Sequence, residues 1–316
     1  MGPTFADVRA AATRIAPFVH RTPVMTSASL DEWVGATVFL KCEHLQRVGA
    51  FKYRGATNAV QSLDGSVAER GVAAHSSGNH AAALALAAAT RGIPAYIVMP
   101  DTAPAVKKDA VARLGATITF CENTPEAREG TLADVVTRTG ATEIHPFDND
   151  RVIAGAGTAA LELLEAVPDL DVVMAPVGGG GLLSGTSIAT HGVRPDVRLI
   201  GAEPARADDA ARSLVSGVLQ PPLPPTTIAD GLLTALSERT FAVIREHVEE
   251  IVTVDEDAIA EAMVVVWERA KQVIEPSAAV AVAGARTADV DGRRVGIILS
   301  GGNLDLAPLL ASFRRA

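Results

Sequence analysis

Short runs of apolar, β-branched residues recur along the chain, and each is followed by a segment with helical periodicity. Uninterrupted apolar runs are typical of strands buried on both faces. Strands that alternate with helices of roughly 10 to 15 residues predict parallel sheets covered by helices on both sides. The fold class is therefore α/β. The runs are VFLKCE (38–43), GVAAHSS (71–77), AYIVMP (95–100), TITFC (117–121), VVMAPV (172–177), RLIGAEP (198–204) and VGIILSGG (295–302).

The order of these runs predicts two domains. Residues 71–121 read strand, helix, strand, helix, strand, with short turns marked by Gly or Pro, as an inserted compact unit would. We therefore expect a large domain of residues 1–70 plus 149–316, and a small mobile domain of residues 71–148.

Two segments near the end of the chain are not assigned to the sheets. The proline-rich stretch LQPPLPPTTIADG (219–231) can form neither a helix nor a central strand, so we expect a surface excursion. One further helix is expected between the last glycine turn and residue 316.

The composition excludes several classes of partner. A net charge of −9 and a pI near 5.3 argue against a nucleic-acid surface, which needs a basic stripe. The two cysteines, Cys42 and Cys121, are too few for a disulfide framework and fit a reducing compartment. The Ala-rich run 81–89 is too short to span a bilayer. These features predict a cytoplasmic protein that binds a small molecule, with neither a nucleic-acid nor a membrane partner.

Two loops that follow apolar runs carry more small and polar residues than a turn needs. In open parallel sheets ligands bind beyond the carboxyl ends of strands, so such loops are candidate sites. SSGNH (76–80) is either an ordinary helix cap or a set of amides and hydroxyls that binds a carboxylate. In PVGGGGLLSG (176–185), four successive glycines cost roughly 0.5 to 1 kcal/mol each in backbone entropy. A phosphate bound by their N–H groups at a helix N-terminus explains them better than a flexible turn.

A dinucleotide site is the rival interpretation. GAGTAA (155–160) matches the pattern Gly-x-Gly-x-x-Ala of such sites. The preceding segment HPFDNDRVIA is polar and interrupted by proline, whereas the fingerprint requires an apolar strand there. We therefore expect these glycines to serve close packing at a helix start.

Two segments place a chemically capable side chain at the boundary of an element. In GAFKYRGATNAV (49–60), Lys52 leads a helical pattern. It is either an ordinary surface lysine or an amine that forms a Schiff base with a carbonyl compound. In ILSGGN (298–303), Ser300 lies at the carboxyl end of a strand.

A third segment, GAEPARADD (201–209), carries a group of acids. Glu203 ends a strand, and Asp208 and Asp209 follow one turn later. Carboxylates at this spacing hold a hard cation with the help of a backbone carbonyl, or decorate a helix N-terminus. The spacing alone leaves both interpretations open.

Seven motifs follow one another along nearly the whole chain: HRTPV (20–24), GAFKYRGA (49–56), SSGNH (76–80), GGGGL (178–182), EPARADD (203–209), IEPSAAV (274–280) and LSGGN (299–303). In this order they resemble the serine/threonine dehydratase and serine racemase family, which are pyridoxal phosphate enzymes of fold type II. The resemblance implies a tryptophan synthase β-like fold with two open, twisted, mostly parallel sheets flanked by helices. It also implies a homodimer.

The resemblance implies a role for each loop. Lys52 would hold pyridoxal phosphate as a Schiff base, and Phe51 would frame the ring. The other implied contacts are Gly178, Gly179, Gly180, Gly181 and Leu182 to the phosphate, Asn79 to the ring hydroxyl, Ser300 to the pyridine nitrogen, and Ser76, Ser77, Asn79 and His80 to the substrate carboxylate. A Mg²⁺ or Ca²⁺ ion would be bound by Glu203, the carbonyl of Ala207 and Asp209.

The chemistry implied is β-elimination from a 3-hydroxy amino acid, L-threonine or L-serine, to a 2-keto acid and ammonia. The neutral amine of Lys52 would take the α-proton, which requires a pKa lowered by burial. A hydroxyl at Ser300 cannot keep the pyridine nitrogen protonated as an aspartate does, which favours prompt elimination over transamination. Ser77 would act as an acid or base that reprotonates the α-carbon, so a serine racemase with dehydratase side activity is an alternative.

The chain departs from the family at positions that bear on the substrate. Ala50 stands where serine is commoner, a variant associated with the hydroxyaspartate dehydratase branch. Thr234 replaces a serine that helps to hold the distal group of the substrate. Arg128 would pair with a β-carboxylate, or it is a helix-face charge beside Glu126 and Glu129. L-threo-3-hydroxyaspartate ammonia-lyase is therefore a second alternative.

Overall fold

The chain forms two open sheets flanked by helices, in a computed structural model that describes residues 2–103 and 105–305. The strands of the described residues are β1 (Val24–Met25), β2 (Thr37–Lys41), β3 (Val72–His75), β4 (Ala95–Pro100), β5 (Thr117–Cys121), β6 (Thr142–Glu143), β7 (Val172–Pro176), β8 (Arg198–Pro204), β9 (Glu250–Val254) and β10 (Arg294–Ile298).

The helices alternate with these strands. Within the described residues they are α1 (Phe5–Ile15), α2 (Ala28–Val34), α3 (Lys52–Gln61), α4 (Gly65–Ala68), α5 (Asn79–Arg91), α6 (Ala105–Arg113), α7 (Pro125–Thr139), α8 (Asp150–Ala166), α9 (Gly181–Val193), α10 (Asp209–Ser216), α11 (Glu238–His247), α12 (Glu256–Val265) and α13 (Pro276–Thr287). The helix predicted near residue 316 lies outside the described residues.

The two sheets differ in size and are mostly parallel. The larger has the strand order β1-β2-β10-β7-β8-β9, in which only the pair β1 and β2 of the described strands is antiparallel. The smaller has the order β5-β4-β3-β6 and is parallel throughout. In parallel sheets the carboxyl ends of the strands share one edge, where ligands bind. The loops after β3, β7 and β10 therefore open at the ligand-binding edges.

The predicted α/β class with two mostly parallel sheets is confirmed. Three predicted runs coincide with β4, β5 and β8 residue for residue. The sequence did not reveal β9, because this edge strand is only partly buried and carries no uninterrupted apolar run. The two-residue strands β1 and β6 were also missed. The division into two domains with the boundaries given above stays a prediction.

The glycines of the GAGTAA segment pack helices together. They lie inside α8 and not at a helix start, so the predicted position was wrong. A Cβ atom at Gly155 would lie 2.6 Å from the carbonyl oxygen of Arg54, and one at Gly157 would lie 2.5 Å from that of Gly185. Both distances are shorter than real Cβ contacts allow, so α8 meets α3 and α9 backbone to backbone. The close packing itself is as the sequence predicted.

A buried network of four charges fixes α3 against the larger sheet. The Arg54 side chain is fully buried and contacts Glu43 at 2.7 Å and Glu162 at 2.8 Å. Lys41 of β2 donates to Glu162 at 2.6 Å. Burial raises the pKa of Glu162, but hydrogen bonds and charges from Arg54 and Lys41 outweigh it, so that pKa lies below its ordinary value. Removing one member would leave a buried charge without its partner, which costs about 3–5 kcal/mol.

The proline-rich segment lies at the surface. Residues 219–229 form neither a helix nor a strand and are mostly exposed, in line with the predicted excursion. Across residues 2–103 and 105–305, none of the helices has the length and apolar character needed to cross a bilayer.

Candidate active site

A cavity of about 370 Å³ opens where the loops after β3, β7 and β10 converge. It brings together most of the residues singled out in the sequence, although they lie far apart along the chain. The predicted site residues that line it are Phe51, Lys52, Ser76, Ser77, Asn79, His80, Arg128, Gly178, Gly179, Gly180, Gly181, Leu182, Thr234 and Ser300. Glu203, Ala207 and Asp209 do not line it.

Lys52 enters the cavity from the first turn of α3. The turn is fixed to the strand end after β10, because the backbone N–H of Phe51 donates to the carbonyl of Ser300 at 2.9 Å. The Lys52 amine donates to the carbonyl of Pro146 at 3.0 Å. Burial lowers the pKa of this amine to about 8, against an opposing effect from the charge of Glu275. A substantial fraction of Lys52 is therefore neutral near pH 8 and able to act as a nucleophile or base.

The four glycines after β7 form a cradle at the N-terminus of α9. Gly180 has φ +83°, a left-handed conformation that favours glycine. A Cβ atom would collide with a neighbour at each position: Leu232 for Gly178, Phe147 for Gly179 and Gly181, and Leu236 for Gly180. The glycines are therefore required by packing, and they line the cavity with backbone alone, where the N–H groups of the helix N-terminus are suited to an anion.

The SSGNH loop joins β3 to α5, and its Gly78 occupies the N-cap position without a side-chain cap. Its Ser76 N–H donates to the Val98 carbonyl at 3.0 Å, and the Gly78 N–H donates to the Ser76 hydroxyl at 3.3 Å. The buried His80 ring donates from Nε2 to the Ile144 carbonyl at 2.8 Å. Burial lowers the pKa of His80 to about 3, so its ring is neutral. The backbone N–H of His80, and not its ring, is the group available to a carboxylate.

Ser300 follows β10 and is buried against the cavity. A hydroxyl group in this position offers a hydrogen bond without a negative charge. A carboxylate here would instead stabilise a proton on a ring nitrogen placed beside it.

Two residues considered for substrate recognition reach the cavity from different elements. Arg128 lies on α7, and one of its terminal nitrogens donates to the Asn123 side chain. Its buried Nε has no hydrogen-bond partner among the described residues. Thr234 lies just after the 3₁₀ turn Asp230–Leu232. Both residues therefore lie where a substrate could reach them, and their contacts with one stay predictions.

The acidic segment after β8 is away from the cavity and already hydrogen-bonded. Glu203 is 1% exposed, and its carboxylate accepts the N–H groups of Ala210 at 3.1 Å and Ala211 at 2.9 Å. Asp209 accepts the N–H of Leu236 at 3.1 Å. Burial raises the pKa of Glu203 to about 8 and also raises that of Asp209. Within the described residues no group of three or more His, Cys, Asp or Glu side chains is arranged to hold a metal ion.

Several cavity residues were not foreseen as site residues. Lys107 and Asp230 form an ion pair of 3.1 Å at the cavity, and Phe147 covers the glycine cradle. Glu275 and Asn303 contact Asn79. Phe147, Glu275 and Asn303 lie in the motifs HPFDND, IEPSAAV and LSGGN. In the sequence, HPFDND indicates only that no apolar strand precedes GAGTAA. Its place beside the cradle depends on tertiary packing that periodicity does not report.

A model of the family described as "Pyridoxal-phosphate dependent enzyme" matches residues 15–301. The chain belongs to this family. It is 49% identical over 309 residues to a beta-hydroxyaspartate dehydratase of Paracoccus denitrificans, with 97% of this chain and 98% of the relative covered. It is 46% identical over 312 residues to a serine racemase of Dictyostelium discoideum, with 97% and 96% covered. The solved structure of maize serine racemase superposes with a TM-score of 0.97 at 44% identity, covering 100% of this chain and 98% of that one.

The cavity fits the cofactor of this family. Gly178 to Gly181 line the cavity with backbone alone at the start of α9, where N–H groups are suited to a phosphate. A lysine amine with a lowered pKa lies in the same cavity, where it can bind an aldehyde. The predicted resemblance and the predicted cofactor, pyridoxal phosphate, are confirmed by the family match.

Proposed function

We propose that this enzyme removes water from a 3-hydroxy amino acid, L-threonine or L-serine, and releases a 2-keto acid and ammonia. One observation carries the proposal: a lysine amine with a pKa near 8 shares its cavity with a glycine cradle and with a serine hydroxyl at the end of β10. The similarity to a beta-hydroxyaspartate dehydratase and to serine racemases supports the same class of substrate.

The cofactor would be held by residues of four loops. Lys52 would bind it, with Phe51 beside the ring, Asn79 at the ring hydroxyl and Ser300 at the ring nitrogen. The phosphate would lie against Gly178, Gly179, Gly180, Gly181 and Leu182. Bound pyridoxal phosphate supplies an electron sink for the α-carbon of an amino acid.

The protein's own groups would bind the substrate and move its proton. The amides and hydroxyls of Ser76 and Ser77, the Asn79 side chain and the His80 N–H would bind the α-carboxylate. Lys52 would remove the α-proton, for which a pKa near the working pH is well matched. A hydroxyl at Ser300, unlike a carboxylate, would not hold a proton on the ring nitrogen, which would favour prompt loss of the β-hydroxyl. Reprotonation of the α-carbon by Ser77 would give serine racemase activity as a side reaction.

The test of this function is a substrate panel. Serine, threonine and 3-hydroxyaspartate, each as separate stereoisomers, would be assayed for keto acid and ammonium. We expect turnover by the native protein and by Lys108→Ala, which removes a half-buried amine of α6 away from the cavity, and a loss of at least 10³-fold in Lys52→Ala. Full activity of Lys52→Ala would overturn the proposal.

A second substrate is favoured by a cation at the cavity. Arg128 lines the cavity, and its guanidinium would pair with a β-carboxylate. L-threo-3-hydroxyaspartate is therefore a candidate, and Thr234 would contact the same distal group. We expect Arg128→Ala to lower kcat/KM for this substrate by about 10- to 100-fold, and much less for serine. Arg138→Ala, on the exposed face of the same helix, is the matched control.

We propose that Glu203, the carbonyl of Ala207 and Asp209 bind Mg²⁺ or Ca²⁺. Both carboxylates are buried without a basic side chain as partner among their described hydrogen bonds, and burial raises the pKa of each. A cation would compensate for the burial of their charges. Thermal unfolding with and without a chelator tests this. We expect the chelator to lower the stability of the native protein and Mg²⁺ to restore it. In Asp209→Asn we expect neither effect. Asp208→Asn is the control, and no chelator effect would overturn the site.

We also propose that the protein is a cytoplasmic homodimer. Two apolar side chains, Leu45 and Val273, are 46% and 47% exposed. They lie next to His44 and Gln272, which are hydrogen-bonded at 2.8 Å, so they offer an apolar surface that a second subunit would cover. The free thiols of Cys42 and Cys121 suit a reducing compartment. Analytical ultracentrifugation of the native protein and of Leu45→Asp distinguishes a dimer from a monomer.

A further inference from the structure

A buried carboxylate that lines the cavity accepts hydrogen bonds from two of its loops. Glu275 precedes α13 and is 4% exposed. Its Oε1 accepts Nδ2 of Asn79 at 2.9 Å, and its Oε2 accepts the backbone N–H of Asn303 at 3.1 Å. A Cβ atom at Gly301 would lie 2.4 Å from Oε1, so the turn after β10 is shaped around this carboxylate. One side chain therefore contacts both the start of α5 and the loop that carries Ser300.

The same contacts fix which way the Asn79 amide faces. An ionised carboxylate only accepts hydrogen bonds, so it holds the NH₂ end of Asn79 toward itself. At the other end, Oδ1 of Asn79 accepts Nδ2 of Asn303 at 2.8 Å, and that Nδ2 also donates to the Val48 carbonyl at 2.7 Å. Both ends of the amide therefore have a partner of the matching type. Asn79 is oriented for a ligand before the ligand arrives.

Glu275 and Lys52 line the same cavity, so the charge of Glu275 also acts on the Lys52 amine. Burial lowers the pKa of Lys52, and the negative charge of Glu275 opposes that effect. Burial raises the pKa of Glu275 to about 7, while the Asn79 and Asn303 hydrogen bonds and the Lys107 charge oppose it. The other ionisable side chains that line the cavity are Asp230, whose charge disfavours that of Glu275, the cations Lys107 and Arg128, and His75 and His80, whose pKa values are lowered by burial.

We propose that Glu275 is a positioning residue of the enzyme: its carboxylate orients Asn79 and the turn after β10, and its negative charge stabilises the protonated form of the Lys52 nitrogen. The inference rests on the proposed function only in placing the cofactor on Lys52. Among the described contacts, Glu275 touches neither the glycine cradle nor the backbone amides of the SSGNH loop. It acts through Asn79 and Lys52.

The test is a pH titration of the holoenzyme, followed by the absorbance of the bound cofactor. Glu275→Gln keeps the shape of the side chain and removes its charge. We expect the pH midpoint of the absorbance change to fall by about one unit, the size of shift that a neighbouring opposite charge produces. Glu275→Asp keeps the charge, and we expect its midpoint to stay within about 0.3 units of the native value. A native midpoint in Glu275→Gln, or an equal fall in Glu275→Asp, would overturn the inference.

Asp230→Asn is the matched control for charge. Asp230 lines the same cavity but is exposed. Among the described residues it makes no hydrogen bond to Asn79. We expect a midpoint change several-fold smaller than in Glu275→Gln, and an equal change would show a general field effect and refute a specific role for Glu275. Thermal unfolding of each variant identifies loss of the fold. If Glu275→Gln does not fold, the orientation is tested by Asn303→Ala, which leaves the charge in place.

For Asn303→Ala we expect a native midpoint together with a KM for the amino acid raised several-fold, because Asn79 loses its second partner. An unchanged KM would overturn the orienting role. The spectroscopic titration requires only bound cofactor and not elimination. If the midpoint shifts in Glu275→Gln but the native protein forms no keto acid, the inference stands and the proposed function is refuted. If the native protein forms keto acid but the midpoint of Glu275→Gln is unchanged, the proposed function stands and the inference is refuted.

Discussion

Replacing Gly157 by alanine tests the contact that places the phosphate cradle. Gly157 lies where α8 crosses α9, and α9 begins at the last glycine of the cradle. The added Cβ would lie 2.5 Å from the carbonyl oxygen of Gly185, a backbone atom that cannot rotate away. The helices must therefore separate by roughly 0.5 to 1 Å, in an interior without spare volume.

The expected change in the free energy of unfolding follows from two opposing effects. Overpacking a core costs about 1–3 kcal/mol, and a rigid backbone neighbour favours the upper half of that range. Exchanging glycine for alanine within a helix returns about 0.5–1 kcal/mol. We therefore expect Gly157→Ala to be less stable by about 1–2 kcal/mol, and to bind pyridoxal phosphate more weakly because the start of α9 moves.

The assay is urea unfolding followed by circular dichroism, with Gly130→Ala as the matched control. Gly130 also lies inside a helix, but a Cβ there would meet no atom within 4 Å. Only the helix gain remains, so this variant should be more stable than the native protein by about 0.5–1 kcal/mol. If both variants were stabilised equally, the tight crossing of α8 and α9 would be refuted.

Three further predictions concern the cradle and the buried charges. Gly179→Ala should lower cofactor affinity by at least 10-fold in equilibrium dialysis, because its Cβ would overlap the Phe147 ring; an unchanged affinity would contradict the cradle. Arg54→Met should destabilise the protein by about 3–5 kcal/mol in urea unfolding, since it leaves buried carboxylates without their cation. The pKa of Glu162 is lowered by folding, so its contribution to stability is present above its ordinary pKa and is lost as the pH falls through its lowered value. Glu162→Gln should therefore flatten the acid limb of a stability–pH curve, while the exposed Glu165→Gln should not.

Local patterns were sufficient for much of the fold and for the ligand loops. Buried parallel strands are uninterrupted apolar runs, so β4, β5 and β8 were predicted with their observed bounds. The glycines at 178–181 and Ser300 were found because four glycines in a row are costly and because ligands bind at strand ends. Such features leave a mark in the sequence within a few residues.

Other features depend on contacts between distant segments. Glu275 is a buried acid in a helix-capping position, and nothing in its neighbours along the chain indicates that it holds Asn79. The Gly157 contact has the same character: GAGTAA looked like a packing motif at a helix start, but only the crossing with α9 places it inside α8. The sequence likewise left Arg128 between two interpretations; the fold places it in the lining of the cavity, and its pairing with a substrate stays a prediction.

The central claim is that Lys52 holds the cofactor, and borohydride reduction of the holoenzyme tests it most directly. Reduction fixes the cofactor to its lysine, and peptide mass spectrometry then identifies the residue. We expect the label on the peptide that contains Lys52, and no fixed label in Lys52→Ala. A label on Lys41 or Lys107, or a full label in Lys52→Ala, would contradict the account.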